Sequence, residues 1–176
     1  MSIAADVART IYRHKESGLL VDPGGWWLKV PIEKVLADLD RAKWLKENCT
    51  KLGRMTVDEF KTHWRRLVPE IKSRTGAKLM VFNVMVIDPG SRQSNYQLVN
   101  DPASLRRREF NVALFDLSRE LDFSVIDIDR VLKNASVLET QMDFSHYPPE
   151  MYGPVGREIE SMLSDLKVFA RQPTPA

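Results

Sequence analysis

The sequence predicts a mixed α/β fold, and three observations carry that expectation. Residues 78–87 hold a near-continuous apolar run, Leu-Met-Val-Phe-Asn-Val-Met-Val-Ile, bounded by Gly76 and Pro89-Gly90. Residues 123–128 form a second, shorter run. An amphipathic helical pattern precedes each. Apolar runs of this length suit strands buried on both faces of a parallel sheet. Helix then strand, repeated, is the grammar of β-α-β units.

The elements follow in order. Ile3, Val7, Ile11 and Tyr12 recur at helical spacing, Gly18 is placed to end that helix, and Ser2 falls on it. Leu19-Leu20-Val21 reads as a short strand and Asp22-Pro23-Gly24-Gly25 as a turn. Trp26 and Trp27 either pack in a small satellite cluster or line a pocket or meet a partner. Ile32, Val35, Leu36, Leu39 and Trp44 mark a second helix, with Pro31 in its first turn. Residues 49–55 read as a loop.

Thr56 and Glu59 then stand in the reciprocal positions of a capping box. The helix they start carries Val57, Phe60, Trp64, Leu67, Val68 and Ile71 on one face, with Gly76 just past its end. Residues 88–101 form a polar loop, and Asp101-Pro102 caps a helix with Leu105, Phe110, Leu114, Leu117 and Leu121 inward. Tyr152, Val155, Ile159, Met162, Leu163 and Leu166 give a last amphipathic helix that tolerates Pro154 in its first turn. Residues 171–176 read as a disordered tail. The expected organisation is a mostly helical N-terminal segment (1–55), an α/β portion (56–170) and that tail.

Two apolar strands are few beside the roughly five of a doubly wound sheet. They predict a hydrophobic sheet edge that the N-terminal arm or a partner chain must cover.

Composition narrows the function classes. A chain of 176 residues, 43% hydrophobic and 28% charged, can bury one core. The net charge of +2 implies no general polyanion role, and the basic runs at residues 63–66 and 106–108 read as solvated helix faces, so no nucleic-acid partner is expected. The single cysteine, Cys49, excludes an internal disulfide and a cysteine-based metal site, and fits a reducing, cytoplasmic compartment. No apolar run approaches the roughly 20 residues of a membrane span. His14, His63 and His146 lack ligand spacing, and Gly24-Gly25 is only a turn signal, so neither a metal nor a nucleotide cofactor is expected.

The chemistry-bearing stretch is Asp143-Phe144-Ser145-His146-Tyr147-Pro148-Pro149-Glu150-Met151-Tyr152. A carboxylate beside an imidazole fixes its tautomer and stabilises the imidazolium that forms when His takes a proton from a nucleophile. On their own, Asp143 and His146 read first as a turn-capping residue and a surface loop residue. In context they do more. A helix and buried strand, then a polar loop, a helix and a strand ending Val-Ile-Asp-Ile-Asp, then Asp-x-x-His and Pro-Glu-x-Tyr, stand in one order over residues 56–167.

That order resembles the C-terminal half of the SGNH (GDSL-type) hydrolases. The resemblance implies a three-layer α/β/α, flavodoxin-like sheet. It implies hydrolysis of a small-molecule ester or acyl substrate by a Ser nucleophile, with His146 as general base and Asp143 as its orienting acid. The family's Gly-Asp-Ser motif after the first strand does not occur here. Nor does its Gly-x-Asn-Asp block, whose place is taken by residues 48–53 with Asn48 as the nearest amide. The expected fold is thus a partial or degenerate SGNH-like sheet with a helical N-terminal arm. The expected function is a serine-type ester hydrolase completed by a missing segment or a partner chain. The alternative is a non-catalytic α/β interaction domain derived from that fold.

Overall fold

A computed structural model of the chain describes residues 1–23, 39–86, 103–135 and 148–168. In chain order the elements are α1 (Ala4–Ala8), β1 (Thr10–His14), β2 (Leu20–Val21), α2 (Leu39–Asn48), β3 (Cys49–Arg54) and α3 (Val57–Thr75). They continue with β4 (Met80–Phe82), α4 (Ala103–Leu121), β5 (Ser124–Ile126), α5 (Ile128–Asn134), a 3₁₀ turn (Pro149–Met151) and α6 (Tyr152–Asp165).

The α/β class follows from how β4 and β5 are buried. They pair in parallel, Met80 with Ser124, Val81 with Val125 and Phe82 with Ile126. Successive side chains on a strand point to opposite faces. Val81 and Val125 therefore join the cluster built on Phe60, Trp64, Val68, Phe110, Leu114 and Leu117 from α3 and α4. Met80, Phe82 and Ile126 join the other cluster, with Val131 and Leu132 of α5 and Met151 and Val155 beyond it. Phe60 links the helices of the first cluster, its ring 5.1 Å from Phe110 and 5.5 Å from Trp64. Such tilted aromatic pairs add about 0.5–1.5 kcal/mol to area burial.

The exposed edge expected of a two-stranded sheet is occupied on the β4 side. Ser2 forms a parallel bridge with Phe82, and the Ile3 amide donates to the Phe82 carbonyl at 3.4 Å. Ile3 is fully buried in the first cluster. The residues around Ser2 thus act as a third parallel strand segment, and Ser2 precedes the terminal helix instead of lying on it.

That helix is also shorter than the spacing predicts. It ends at Ala8, and Thr10–His14 is a strand between β2 and β3 in an antiparallel sheet of order β2-β1-β3. The β-branched and aromatic run Thr10-Ile11-Tyr12 favours a pleated surface. Its partner, residues 49–54, is a strand and not the expected loop, because β1 supplies the ladder: Thr10 faces Arg54 and His14 faces Cys49, with a bulge between Ile11 and Tyr12. Leu20-Val21 pairs with β1 as a strand, as expected.

The capping box forms as the sequence specifies. The Thr56 hydroxyl accepts from the Glu59 amide at 3.2 Å, and Glu59 Oε2 accepts from the Thr56 amide at 2.7 Å. Those bonds hold the Glu59 carboxyl below its usual range. Gly76 ends the helix at φ +60°, and its N–H donates to the Lys72 carbonyl, the geometry a C-terminal glycine supplies. Four residues of the expected apolar faces are exposed: Trp44, Leu67, Leu105 and Tyr152, at 48%, 38%, 53% and 63%. Residues 127–128 leave the second strand early, since Asp127 accepts from the Arg130 amide and caps α5. The Trp26-Trp27 pair, Pro31, Asp101-Pro102, the loop at 88–101 and the tail lie outside the described residues.

Candidate functional site

Open parallel sheets bind ligands beyond the carboxyl ends of their strands. Here those ends are Phe82, Ile126 and, on the N-terminal segment, Ser2–Ile3. Immediately after Phe82 the chain leaves the sheet, although the apolar run continues. The Asn83 N–H still donates to the Ile126 carbonyl at 3.2 Å, and beyond it backbone groups find side-chain partners instead of a ladder. The Asn83 amide nitrogen donates to Asp127 Oδ1 at 2.7 Å, and its oxygen accepts from the Asp129 N–H at 3.3 Å. Asn111 of α4 pairs with Val84 as a neighbouring strand would, accepting from its N–H at 3.1 Å and donating to its carbonyl at 2.7 Å. Arg107 Nη1 donates to the Met85 carbonyl at 2.9 Å, and the Val86 N–H donates to Asp129 Oδ1 at 2.7 Å.

Asn83, Arg107 and Asn111 are buried. A buried amide or guanidinium is tolerated only when bonded. The network therefore fixes residues 83–86 against α4 and α5.

Beside this frame lies a cavity of about 230 Å³, lined among the described residues by Ser2, Ala4, Val7, Ala8, Phe82, Asn83, Val84, Met85, Arg107 and Ile128. Its walls are mostly apolar. Ser2 stands on a strand-to-helix turn at one wall, its Oγ accepting from the Ala4 N–H at 3.3 Å. A hydroxyl on a sharp strand-to-helix turn is carried above the sheet, where a substrate can reach it.

The basic runs serve this architecture. Arg106 donates to the Val7 carbonyl at 2.7 Å and the Met55 carbonyl at 2.6 Å, and its guanidinium lies 4.5 Å from the Phe110 ring centre. It thereby ties α1 to α4. Arg65 pairs bidentately with Glu120 across α3 and α4, at 2.7 and 2.9 Å. Inside α1, Asp6 is half-buried, and burial raises its carboxyl above the ordinary value of 3.8. A hydrogen bond from Trp64 and the charge of His63 oppose that rise.

His146 and Asp143 lie outside the described residues, in the stretch between Ala135 and Pro148. Both flanks of that stretch are anchored in one place. Val131 and Leu132 before it, and Met151 after it, pack in the cluster with Ile128, which also lines the cavity. Pro148, the first described residue after that stretch, is buried. Asn48, the nearest amide in place of the family's oxyanion block, donates to the Trp44 carbonyl of its own helix at 2.9 Å.

Sequence reasoning placed Ser2 on the terminal helix because a strand segment this short leaves no periodicity. Asn83 did leave a signal, being the one polar residue inside an apolar run. Among the described residues no three His, Cys, Asp or Glu side chains group to hold a metal ion, and no helix is long and apolar enough to cross a membrane. No protein-family model matches the chain, and the search of curated proteins returned no match.

Proposed function

We propose that this chain is an SGNH-like acyl-ester hydrolase in which Ser2 is the nucleophile, His146 the general base and Asp143 the acid that orients it. The observation that carries the reading is Ser2 on a strand-to-helix turn, at the carboxyl end of a parallel strand and in the wall of an apolar cavity. That is the station the resemblance requires of its nucleophile, reached without the Gly-Asp-Ser motif. The common anchoring of both flanks of residues 136–147 beside Ile128 supports the partnership with His146.

In this mechanism His146 takes the Ser2 hydroxyl proton as Oγ attacks the ester carbonyl. The tetrahedral intermediate collapses to an acyl-serine, and His146 returns the proton to the departing alcohol. Water, deprotonated by His146, then attacks the acyl-serine; the acid leaves and Ser2 recovers its proton. Asp143 holds the imidazole in the tautomer that can accept a proton.

The test is hydrolysis of p-nitrophenyl butyrate by the purified chain. Turnover that falls by at least about a thousandfold in both Ser2→Ala and His146→Ala supports the reading. Turnover indifferent to Ser2→Ala removes it.

A second reading keeps the α/β fold as a non-catalytic interaction domain. It draws on Leu19 and Leu20, 67% and 63% exposed, at the start of β2, the outer strand of the antiparallel sheet among the described residues. Unpaired, apolar strand edges invite another chain.

A further inference from the structure

We propose that the cavity beside Ser2 holds a short, unbranched alkyl chain of about six to nine carbons, a length limit set by α1. An apolar cavity of about 150 Å³ takes a benzene-sized ligand, and this one measures about 230 Å³. The lining explains why the guest is apolar. Val7, Phe82, Val84, Met85 and Ile128 supply hydrocarbon, and the polar neighbours are bonded elsewhere: Asn83 to Asp127 and Asp129, Arg107 to the Met85 carbonyl.

The length limit comes from Ala4 and Ala8. They stand one helical turn apart on α1, and both line the cavity. A larger side chain at either is built into that wall. Ser2 at the wall places the reacting carbonyl at one end of the chain; this last point rests on the hydrolase reading, whereas the pocket itself does not. The chain is either the acyl group or the alcohol group of an ester, and the same chemistry recognises both.

Straight-chain primary alcohols from butanol to dodecanol are titrated into the full chain and followed by the methyl resonances of Ala4, Ala8 and Ile128. Affinity should rise about fourfold per methylene, the worth of a buried CH₂, and level off near nine carbons. Ala8→Leu should move that plateau two or three carbons shorter and weaken octanol binding by at least about tenfold. Ala4→Leu is the second variant should the first fail to fold. No rise with chain length, or a rise that continues to dodecanol in both variants, overturns the proposal.

Hydrolysis of p-nitrophenyl esters of two to ten carbons, set against acetates of the same alcohols, tells the acyl chain from the alcohol chain by which series has an optimum. Retained alcohol binding without any hydrolysis would sink the hydrolase reading and leave the pocket standing. Hydrolysis without a length optimum in either series would sink the pocket and leave the hydrolase reading.

Discussion

Asn83 and Asn111 illustrate how single residues build the frame of this site. Each interrupts an apolar pattern, Asn83 among Met-Val-Phe and Val-Met-Val, Asn111 beside Phe110. A buried amide without partners costs about 1–3 kcal/mol, so a polar residue at a core position announces a bonding duty. That much is legible in the sequence. The partners are not, because Asn111 and Val84 are brought together by tertiary packing alone. Asp6 carries a different duty. Its carboxylate accepts from the buried Trp64, yet burial favours its protonated form. A group with a raised pKa lends its full stability below the ordinary value of 3.8 and loses it as pH climbs through the raised one. Asp6→Asn keeps an acceptor for Trp64 and removes the buried charge. Its Tm should exceed that of the unsubstituted protein at pH 7, and the difference should vanish below pH 3.8 in thermal unfolding followed by circular dichroism.

Among the elements, α3 was the most legible because its signals are local. Thr56, Glu59 and Gly76 specify its two ends by bonds within a few residues, and its buried face (Phe60, Trp64, Val68) repeats at helical spacing. Strands β1 and β3 were illegible for the opposite reason. Cys49-Thr50-Lys51-Leu52-Gly53-Arg54 has no alternating pattern, and its strand state comes from pairing with residues about forty positions earlier in the chain. The parallel strands were recognised but overextended. Hydrophobicity continues to Val86, whereas ladder pairing stops at Phe82 because side chains take over the backbone bonds. Thr56→Ala should lower unfolding free energy by about 1 kcal/mol, the usual worth of an N-cap, with the urea m-value unchanged. A much larger loss would mean that Thr56 does more than cap α3.

At the scale of the molecule, one packing decision connects fold and site. The parallel pair β4–β5 needs its edge covered, and the segment around Ser2 covers it through the bridge to Phe82 and the burial of Ile3. The same placement puts Ser2 at the carboxyl end of the sheet, in the wall of the cavity that Ile128 also lines. The Asp-x-x-His spacing of Asp143 and His146 is plain in the sequence. The place of Ser2 is not, because it depends on a strand pairing some eighty residues distant. The claim that these residues form one nucleophilic site is tested most directly by a fluorophosphonate probe, with the adduct mapped by mass spectrometry. The account predicts one stoichiometric adduct on Ser2, lost in His146→Ala. An adduct on another serine, or none on a folded chain, would contradict it.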